Sequence, residues 1–595
     1  MRHPQRPIVN TALFEALEDR RLFAAGDLDL TFGNGGKLAS GVLPFQPTAT
    51  AVQADGKIIA VGQFQDDFAV ARFNPDGKLD RTFGGVNRGD GIVTTDFGGN
   101  VRDQATAVTI QPDGRIVVVG VRLENPGTIF NARDQFAIAR YNRDGSPDKT
   151  FSGDGKQTVS FRGSVLPKGG GALAVSVNPS TGKLAIVGHT NIRSNQDSDY
   201  AIVQLKSDGS RDGSFGDNGE VKVKFSFEDR DEQVRAVIAL PDGKVLVGVQ
   251  NRDQFGIWRF KANGDRDTTF GSGGMTFINA EKPRLNGLAV MPQTNQVVAV
   301  GDSNGLPTVI KLTSAGKRDN SFGFDGLAMQ RFAQNGTLFH ALPMARGRIL
   351  VSGSVGGDSN MMMFKSDGRF EASFGRGGIV LTNLGGSDAI HRTSIDSNNR
   401  IVALGTNSQG QVIQARFENI PPVVEVRELL NNQVTEGSNQ PAAILIKRDA
   451  VYPFQTRVFL DITSPAIEGV DYTSAQLHKL PMLSVAPGGA NGSLTPVQLQ
   501  GFKYFVDIPA GQDFVVAEIF AKADNLREGD EAVRWAPIAD PAYQSNPGNA
   551  AHVTIHDATP GASPSGGFTR AVSAATRSRM SLFSEDRIDE LPPTR

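Results

Sequence analysis

A Phe-centred segment of the form L-D-x-T-F-G recurs along the chain. It stands at Leu28–Gly33 and Leu79–Gly84, with looser copies around Phe151, Phe215, Phe270, Phe322 and Phe374. Successive Phe residues lie 51, 68, 64, 55, 52 and 52 positions apart. A unit repeated at such a period cannot bury its apolar face alone, so the chain is restricted to an array of packed units. A second segment is interleaved with the first. Asp55–Gly62 (DGKIIAVG) returns as Asp113–Gly120 (DGRIVVVG), with further copies ending at Gly188, Gly248, Gly301, Gly353 and Gly405. A third follows each of these, as Phe68–Phe73, Phe136–Tyr141, Tyr200–Leu205 and Phe255–Phe260, and last as Val412–Phe417.

Each unit reads as four short strands, in the first unit at about 36–40, 49–53, 57–62 and 68–73. The runs are rich in Val, Ile, Ala and Phe and are bounded by Gly, Asp, Asn and Pro. Asp-Gly ahead of the third strand predicts a type I′ turn, which needs positive φ at both central residues. Gly, at 68 of 595 residues, suits turns and not helix interiors. The predicted fold is all-β: a seven-bladed β-propeller of four-stranded blades over 27–418. A solenoid is the competing array, but it requires polar caps, and the first and last units look ordinary. The seventh unit runs into Asn419-Ile420-Pro421-Pro422 without a Phe-Gly segment. Leu28–Gly33 supplies one at the other end, which predicts docking of that segment where unit seven meets unit one.

These motifs resemble the delta-60 repeat family of bacterial propeller-like domains over about 28–417. Trp258 and Met361-Met362-Met363 depart from its usual strand. The resemblance implies the fold and no activity. After Pro421-Pro422 the texture changes, and strands at 10–15-residue spacing predict a β-sandwich over 419–558. The ordered segments Val434–Gly437, Gly469–Tyr472, Ile508–Gly511, Asp524–Glu531 and Val553–Asp557 look like the Calx-beta module. In that family one end of the sandwich can bind Ca²⁺ through carboxylates, which implies Glu436, Asp471, Asp524 and Asp557 as ligands here, with Glu528 as a secondary candidate. Ca²⁺ needs six to eight hard oxygens, and this chain has single acids where strong binders carry runs of Asp. Loop capping by the same acids is the alternative.

The ends differ from the repeats. Phe14–Ala25 is similar to the LEPR-XLL motif of large bacterial surface or secreted proteins, with Asp19 where Pro is usual; residues 1–26 are expected to be a flexible, export-associated segment. Residues 559–595, rich in Pro, Ser, Gly, Arg and Ala, are expected to be disordered. No run approaches the ~18 apolar residues of a membrane span.

Composition narrows the chemistry. With 61 basic against 63 acidic residues, nothing supports a nucleic-acid partner. Zero Cys excludes disulfides, thiolate metal sites and thiol nucleophiles. His552 and His556 fall on a strand, where i and i+4 lie ~13 Å apart. Arg88-Gly89-Asp90 is a coincidental tripeptide in so Gly- and Asp-rich a chain. The Asp-Gly pairs lack the spacing of Ca²⁺ loops. No catalytic residues are identified. The irregular part of a repeat is the connection between third and fourth strands, and in units two and three it offers Arg122, Asn131, Arg133, Asn191, Arg193, Asn195 and Asp197 as ligand contacts; neutral drift in surface loops is the alternative. The expected function is a non-catalytic binding or adhesion protein, secreted or on the cell surface. It would have a protein or glycan ligand, a monomeric propeller, no nucleic-acid partner, no transmembrane segment, and Ca²⁺ as its one conceivable cofactor. A propeller enzyme acting on polysaccharide, as lyase or hydrolase, and a structural surface-matrix component are the alternatives.

Overall fold

The structure is a computed structural model. It describes residues 25–39, 43–84, 90–99, 101–123, 135–161, 171–193, 196–223, 233–396, 398–428, 433–436, 441–449, 456–463, 472–475, 478–479, 502–509, 512–521, 530–537, 543–545 and 550–556. The chain divides into two compact units, Met1–Ile420 and Pro421–Arg595. Among the described residues the only helical element is a 3₁₀ turn at Ala345–Gly347, and no helix is long and apolar enough to cross a membrane.

In the first unit, β1 (Lys37–Ala39) precedes β2 (Pro47–Val52), β3 (Ile58–Phe64), β4 (Asp67–Phe73) and β5 (Ile92–Thr95). β2 to β5 form one antiparallel four-stranded sheet in chain order. Five further sheets of the same design span 102–159, 171–223, 233–279, 283–329 and 336–382. A seventh joins Asp388–Ile395, Ile401–Asn407 and Val412–Phe417 to β1. The strand expected at about 36–40 therefore belongs to the seventh sheet, not the first. The first sheet's own fourth strand is β5, which follows the Phe-Gly segment. The first strand of each sheet packs on that of the next, and Asp388–Ile395 packs on β2.

Each core lies between neighbouring sheets. Ile59, Val61, Phe68 and Val70 pack against Val108, Ile116, Val118 and Tyr141 of the second sheet. On the other face Ile58, Ala60, Ala69 and Phe73 pack against Leu404 and Val412 of the seventh. A sheet covered on both faces needs near-continuous apolar strands, which is why the IIAVG and FAVARF runs do not alternate.

Two local devices set the sheet spacing. Every first strand carries a register shift, as between Pro47 and Ala49 or Ala105 and Ala107. The extra residue reaches the neighbouring sheet: Thr48 Oγ1 donates to the Ala105 carbonyl at 2.8 Å, and Thr106 Oγ1 to that of Ala172 at 2.6 Å. Opposite these bulges stand the glycines that close the DGKIIAVG-type segments. A Cβ would lie 2.0 Å from the Gln104 carbonyl oxygen at Gly120, and 1.9 Å from the Ala389 carbonyl oxygen at Gly405. The Asp-Gly turns depart from the type I′ expectation. Gly56 has φ of 80° while Asp55 is not in the positive-φ region. Gly56 N–H donates to the Gln53 carbonyl and Asp55 Oδ1 accepts from Lys57 N–H. This is a type I turn closed by one left-handed glycine, so only one residue needs positive φ.

The Phe-Gly segment works as an internal clamp. Asp80 Oδ1 accepts from the backbone and hydroxyl of Thr82, and its Oδ2 meets Arg72 at 2.8 Å and Lys57 at 2.7 Å. The Arg72 guanidinium lies 4.6 Å above the Phe83 ring and donates to the Arg143 carbonyl on the next sheet. Arg140–Asp148–Phe151 and Arg259–Asp267–Phe270 repeat the arrangement. Lys311 takes the arginine's place over Phe322. At the seam of the seventh sheet with the chain's beginning, Asp29 meets Arg416 and Arg400, each at 2.6 Å, and Arg416 stacks on Phe32. These repeated Arg, Asp and Phe residues are consumed in holding sheets together.

In the second unit the described residues form two sheets around one core. One holds Val423–Glu428, Ala442–Arg448, Tyr472–Ala475, Phe514–Ala521 and Gln544–Ser545. The other holds Gln433–Thr435, Thr456–Thr463, His478–Lys479, Phe502–Ile508, Glu531–Pro537 and Ala551–His556. Val426, Ile444, Ile446 and Ile519 from the first pack with Leu460, Val506, Trp535 and Val553 from the second. Arg448, fully buried, donates from Nη1 to the Thr456 hydroxyl at 2.8 Å and from Nη2 to the Pro509 carbonyl at 3.0 Å.

Candidate functional site

The rim formed by the second-to-third strand connections is where the repeats stop being alike. β3 joins β4 through Gln65 and Asp66, whereas in the second sheet residues 124–134 make the same connection between Leu123 and Gln135. Asn131 and Arg133 lie on that connection, outside the described residues; Asn195, from the third sheet's connection, lies outside them too. In the third sheet the expected connection His189–Asp199 is largely strand: Leu184–Arg193 pairs with Gln196–Leu205, with Asn191 opposite Asp199 and Arg193 opposite Gln196. Backbone pairing continues past two register shifts there, so Asn191, Arg193 and Asp197 sit on a hairpin.

The Arg122 side chain is already engaged. Its guanidinium donates to Gln135 Oε1 at 3.1 Å and to the Gly98 carbonyl at 2.8 Å. Directly across the strand pair stands Asp103, a buried carboxylate that the sequence reading did not single out. Asp103 Oδ2 accepts from Phe97 N–H at 2.8 Å, while its buried Oδ1 has no hydrogen-bond partner. A carboxylate oxygen of Asp67, of Asp96 and of Asp103 all lie within 4.8 Å of one another. Burial pushes the Asp103 carboxyl up to about 6, aided by the charges of Asp96 and Asp67 and opposed by Phe97 N–H and Arg122. The signal was hidden because the three acids come from three separate segments of two sheets, scattered over 37 positions of sequence.

At the opposite end of the strands a cavity of about 430 Å³ is lined by Asp113, Arg115, Arg140, Thr150, Thr181 and Asp208, among others. Both arginines are bound to Asp148, at 3.0 and 2.7 Å, so this cavity is bordered by the clamp described above.

Of the expected Ca²⁺ ligands of the second unit, one lies among the described residues. Glu436 is buried, and its backbone N–H donates to the His556 carbonyl at 2.9 Å. Asp471, Asp524 and Asp557 lie outside them. His556 Nδ1 sits 2.6 Å from Asp530, and His552 Nδ1 3.7 Å from Glu428, so the two histidines face separate acids. Asp90 caps its own turn by accepting from Ile92 N–H.

The family described as "Domain of unknown function (DUF5122) beta-propeller" matches residues 53–83, 111–151, 180–215 and 240–270. Each matched stretch runs from a second-strand turn to the Phe of the clamp, in the first four sheets. No curated protein matches the chain. Among solved structures, virginiamycin B lyase from Staphylococcus aureus is 11% identical with a TM-score of 0.37, over 64% of this chain and 97% of that one. The apo form of the Calx CBD1 domain is 15% identical with a TM-score of 0.15, over 23% of this chain and 99% of that one. Prolyl oligopeptidase B from Galerina marginata is 10% identical with a TM-score of 0.32, over 70% of this chain and 56% of that one. The chain is thus a repeat protein of four-stranded β-sheets with a β-propeller family match.

Proposed function

We propose that the seven sheets are the blades of a closed β-propeller of the delta-60 kind, that the second unit is a Calx-beta-like sandwich, and that the whole is a non-catalytic binding or adhesion protein of the cell surface or secreted space. The propeller rim carrying 124–134 and the 184–205 hairpin serves as the platform for a protein or glycan ligand. One observation carries this reading. The recurring Arg, Asp and Phe residues are spent inside the clamp, while length and chemistry vary on one rim, and loops on a rigid scaffold are the usual carriers of recognition. The sandwich acts as a spacer or as a weak Ca²⁺ module through Glu436, Asp471, Asp524 and Asp557. The N-terminal segment resembling LEPR-XLL supports export.

A glycan array probed with the full chain, run beside a turnover screen on cell-wall polysaccharides, tests the reading. The expected result is retention on a subset of glycans with no cleavage products. Replacing 124–134 by a two-residue connection like Gln65-Asp66 is expected to abolish that retention. Cleavage products would favour a polysaccharide lyase or hydrolase instead, and retention on nothing would favour a matrix component.

A further inference from the structure

We propose that Asp67, Asp96 and Asp103 hold a divalent cation of calcium size at the seam between the first and second sheets. The repeat provides its own controls, because the same positions occur at other seams. Asp67 opens β4, and Asp96 follows the β5 residue that pairs with Phe68. The corresponding pairs are Gln135 with Ser160, Gln254 with Asn279, and Asp358 with Asn383. In all three an amide N–H bridges the positions, at 2.8, 2.8 and 3.0 Å. At the first seam both positions are carboxylates, which when ionised have no proton to donate.

The third position sharpens the contrast. Asp388 is the counterpart of Asp103 at the start of the seventh sheet. Its Oδ2 accepts from Leu384 N–H at 2.8 Å, as Asp103 Oδ2 accepts from Phe97, and its Oδ1 accepts from both the backbone and the hydroxyl of Ser359. Phe68 stands where Ser359 does, so Asp103 Oδ1 is left without a partner while fully buried. A buried carboxylate oxygen without a hydrogen bond, on a group that lies beside two more carboxylates, is costly, and a cation shared by the three would offset that cost. Arg122, directly across the strand pair from Asp103, offsets part of this charge.

Three carboxylate oxygens within 4.8 Å of one another can share one ion. Ca²⁺, with flexible coordination by oxygens at about 2.3–2.6 Å, suits an irregular set of this kind better than Mg²⁺, which demands a near-ideal octahedron, and water would complete its shell.

Isothermal titration of the full chain with Ca²⁺ after EDTA treatment tests this. Every measurement uses the Asp471→Asn background, which disables the site proposed for the second unit. One site is expected. Asp96→Asn, which reproduces the Asp358–Asn383 pair, is expected to weaken Ca²⁺ binding at least tenfold. In EDTA the same change is expected to raise Tm, because an amide replaces a repelling charge. Asp67→Asn serves as the second variant and is expected to lose binding likewise. No uptake at about 10 mM Ca²⁺, roughly tenfold above the weak extracellular range, would overturn the proposal. Unchanged uptake in both variants would overturn it equally. Ligand retention on the array can fail while this site binds, so the two readings are separable.

Discussion

Asp29 and Arg416 stand 387 positions apart in sequence and 2.6 Å apart in space. This contact rebuilds, between the two ends of the repeat array, the clamp that the first, second and fourth sheets make within a local stretch. Arg416 sits on the Phe32 ring as Arg72 sits on Phe83, and Gly26 N–H donates to the Glu418 carbonyl at 2.7 Å. The array is therefore closed by main chain from β1 and by side chains from the residues just ahead of it.

Closure makes Asp29 a sensitive position. Asp29→Asn leaves Arg416 and Arg400 facing a neutral amide, at an expected cost of about 1–3 kcal/mol. Urea denaturation of the variant and of Asp80→Asn is expected to show comparable losses. The Asp29 variant alone is expected to gain sensitivity to proteolysis at both β1 and Val412–Phe417, because an opened seam exposes strand edges. Equal cleavage patterns for the two variants would contradict the closure role.

Phe151 and Phe215 are both fully buried, but only Phe151 carries an arginine, Arg140, 4.7 Å above its ring. Gln204 occupies the arginine's position in the third sheet. Either Phe→Ala change is expected to cost about 3–5 kcal/mol. A double-mutant cycle of Phe151→Ala with Arg140→Gln is expected to return a coupling of about 0.5–2 kcal/mol. The corresponding cycle at Gln204 and Phe215 is expected to return none.

The strand glycines should separate by what a methyl would meet. At Gly405 the obstacle is the Ala389 backbone oxygen at 1.9 Å, whereas at Gly248 it is the tip of the Leu285 side chain at 2.7 Å. A carbonyl in a ladder cannot yield and a leucine can rotate. Gly405→Ala is expected to cost at least 1–3 kcal/mol, the usual range for overpacking, and Gly248→Ala roughly 1 kcal/mol or less. Thermal denaturation of the pair would check the order.

Acid should weaken the first unit through two sets of groups. His340 Nδ1 accepts from Thr393 N–H, and burial, reinforced by Arg392, holds the imidazole down to about 3. A histidine with a lowered folded value binds its proton more readily when unfolded, so its contribution is complete above about 6.5 and falls away as pH drops toward 3. Burial alone would raise the Asp148 carboxyl, but Thr150, Arg140 and Arg115 outweigh it and hold it below 3.8. Its contribution, with those of Asp80 and Asp267, is lost only below about 3.8. Subtracting the Tm profile of His340→Gln from that of the wild type is expected to leave a difference that changes between pH 6.5 and 3. A difference independent of pH would remove His340 from the account.

Strand positions, the repeat period and the clamp's components were legible in the sequence because each is local. IIAVG and FAVARF runs, Asp-Gly turns and L-D-x-T-F-G segments are short enough for neighbouring residues to dictate. The phase of the sheets was not legible. The strand at 37–39 could serve the first sheet or the last, and only its hydrogen bonds to Val412–Phe417 decide, because pairing between sequence-distant edges leaves no local pattern. The turn chemistry came out with one left-handed residue, since Asp55 satisfies the turn through its side chain. The acids Asp67, Asp96 and Asp103 each read as ordinary turn or strand-end residues. Packing of the second sheet against the first sets them within 4.8 Å of one another, with Phe68 where the sixth sheet has Ser359. Local sequence determined the elements of this protein; the meeting of distant strands decided where its charges gather.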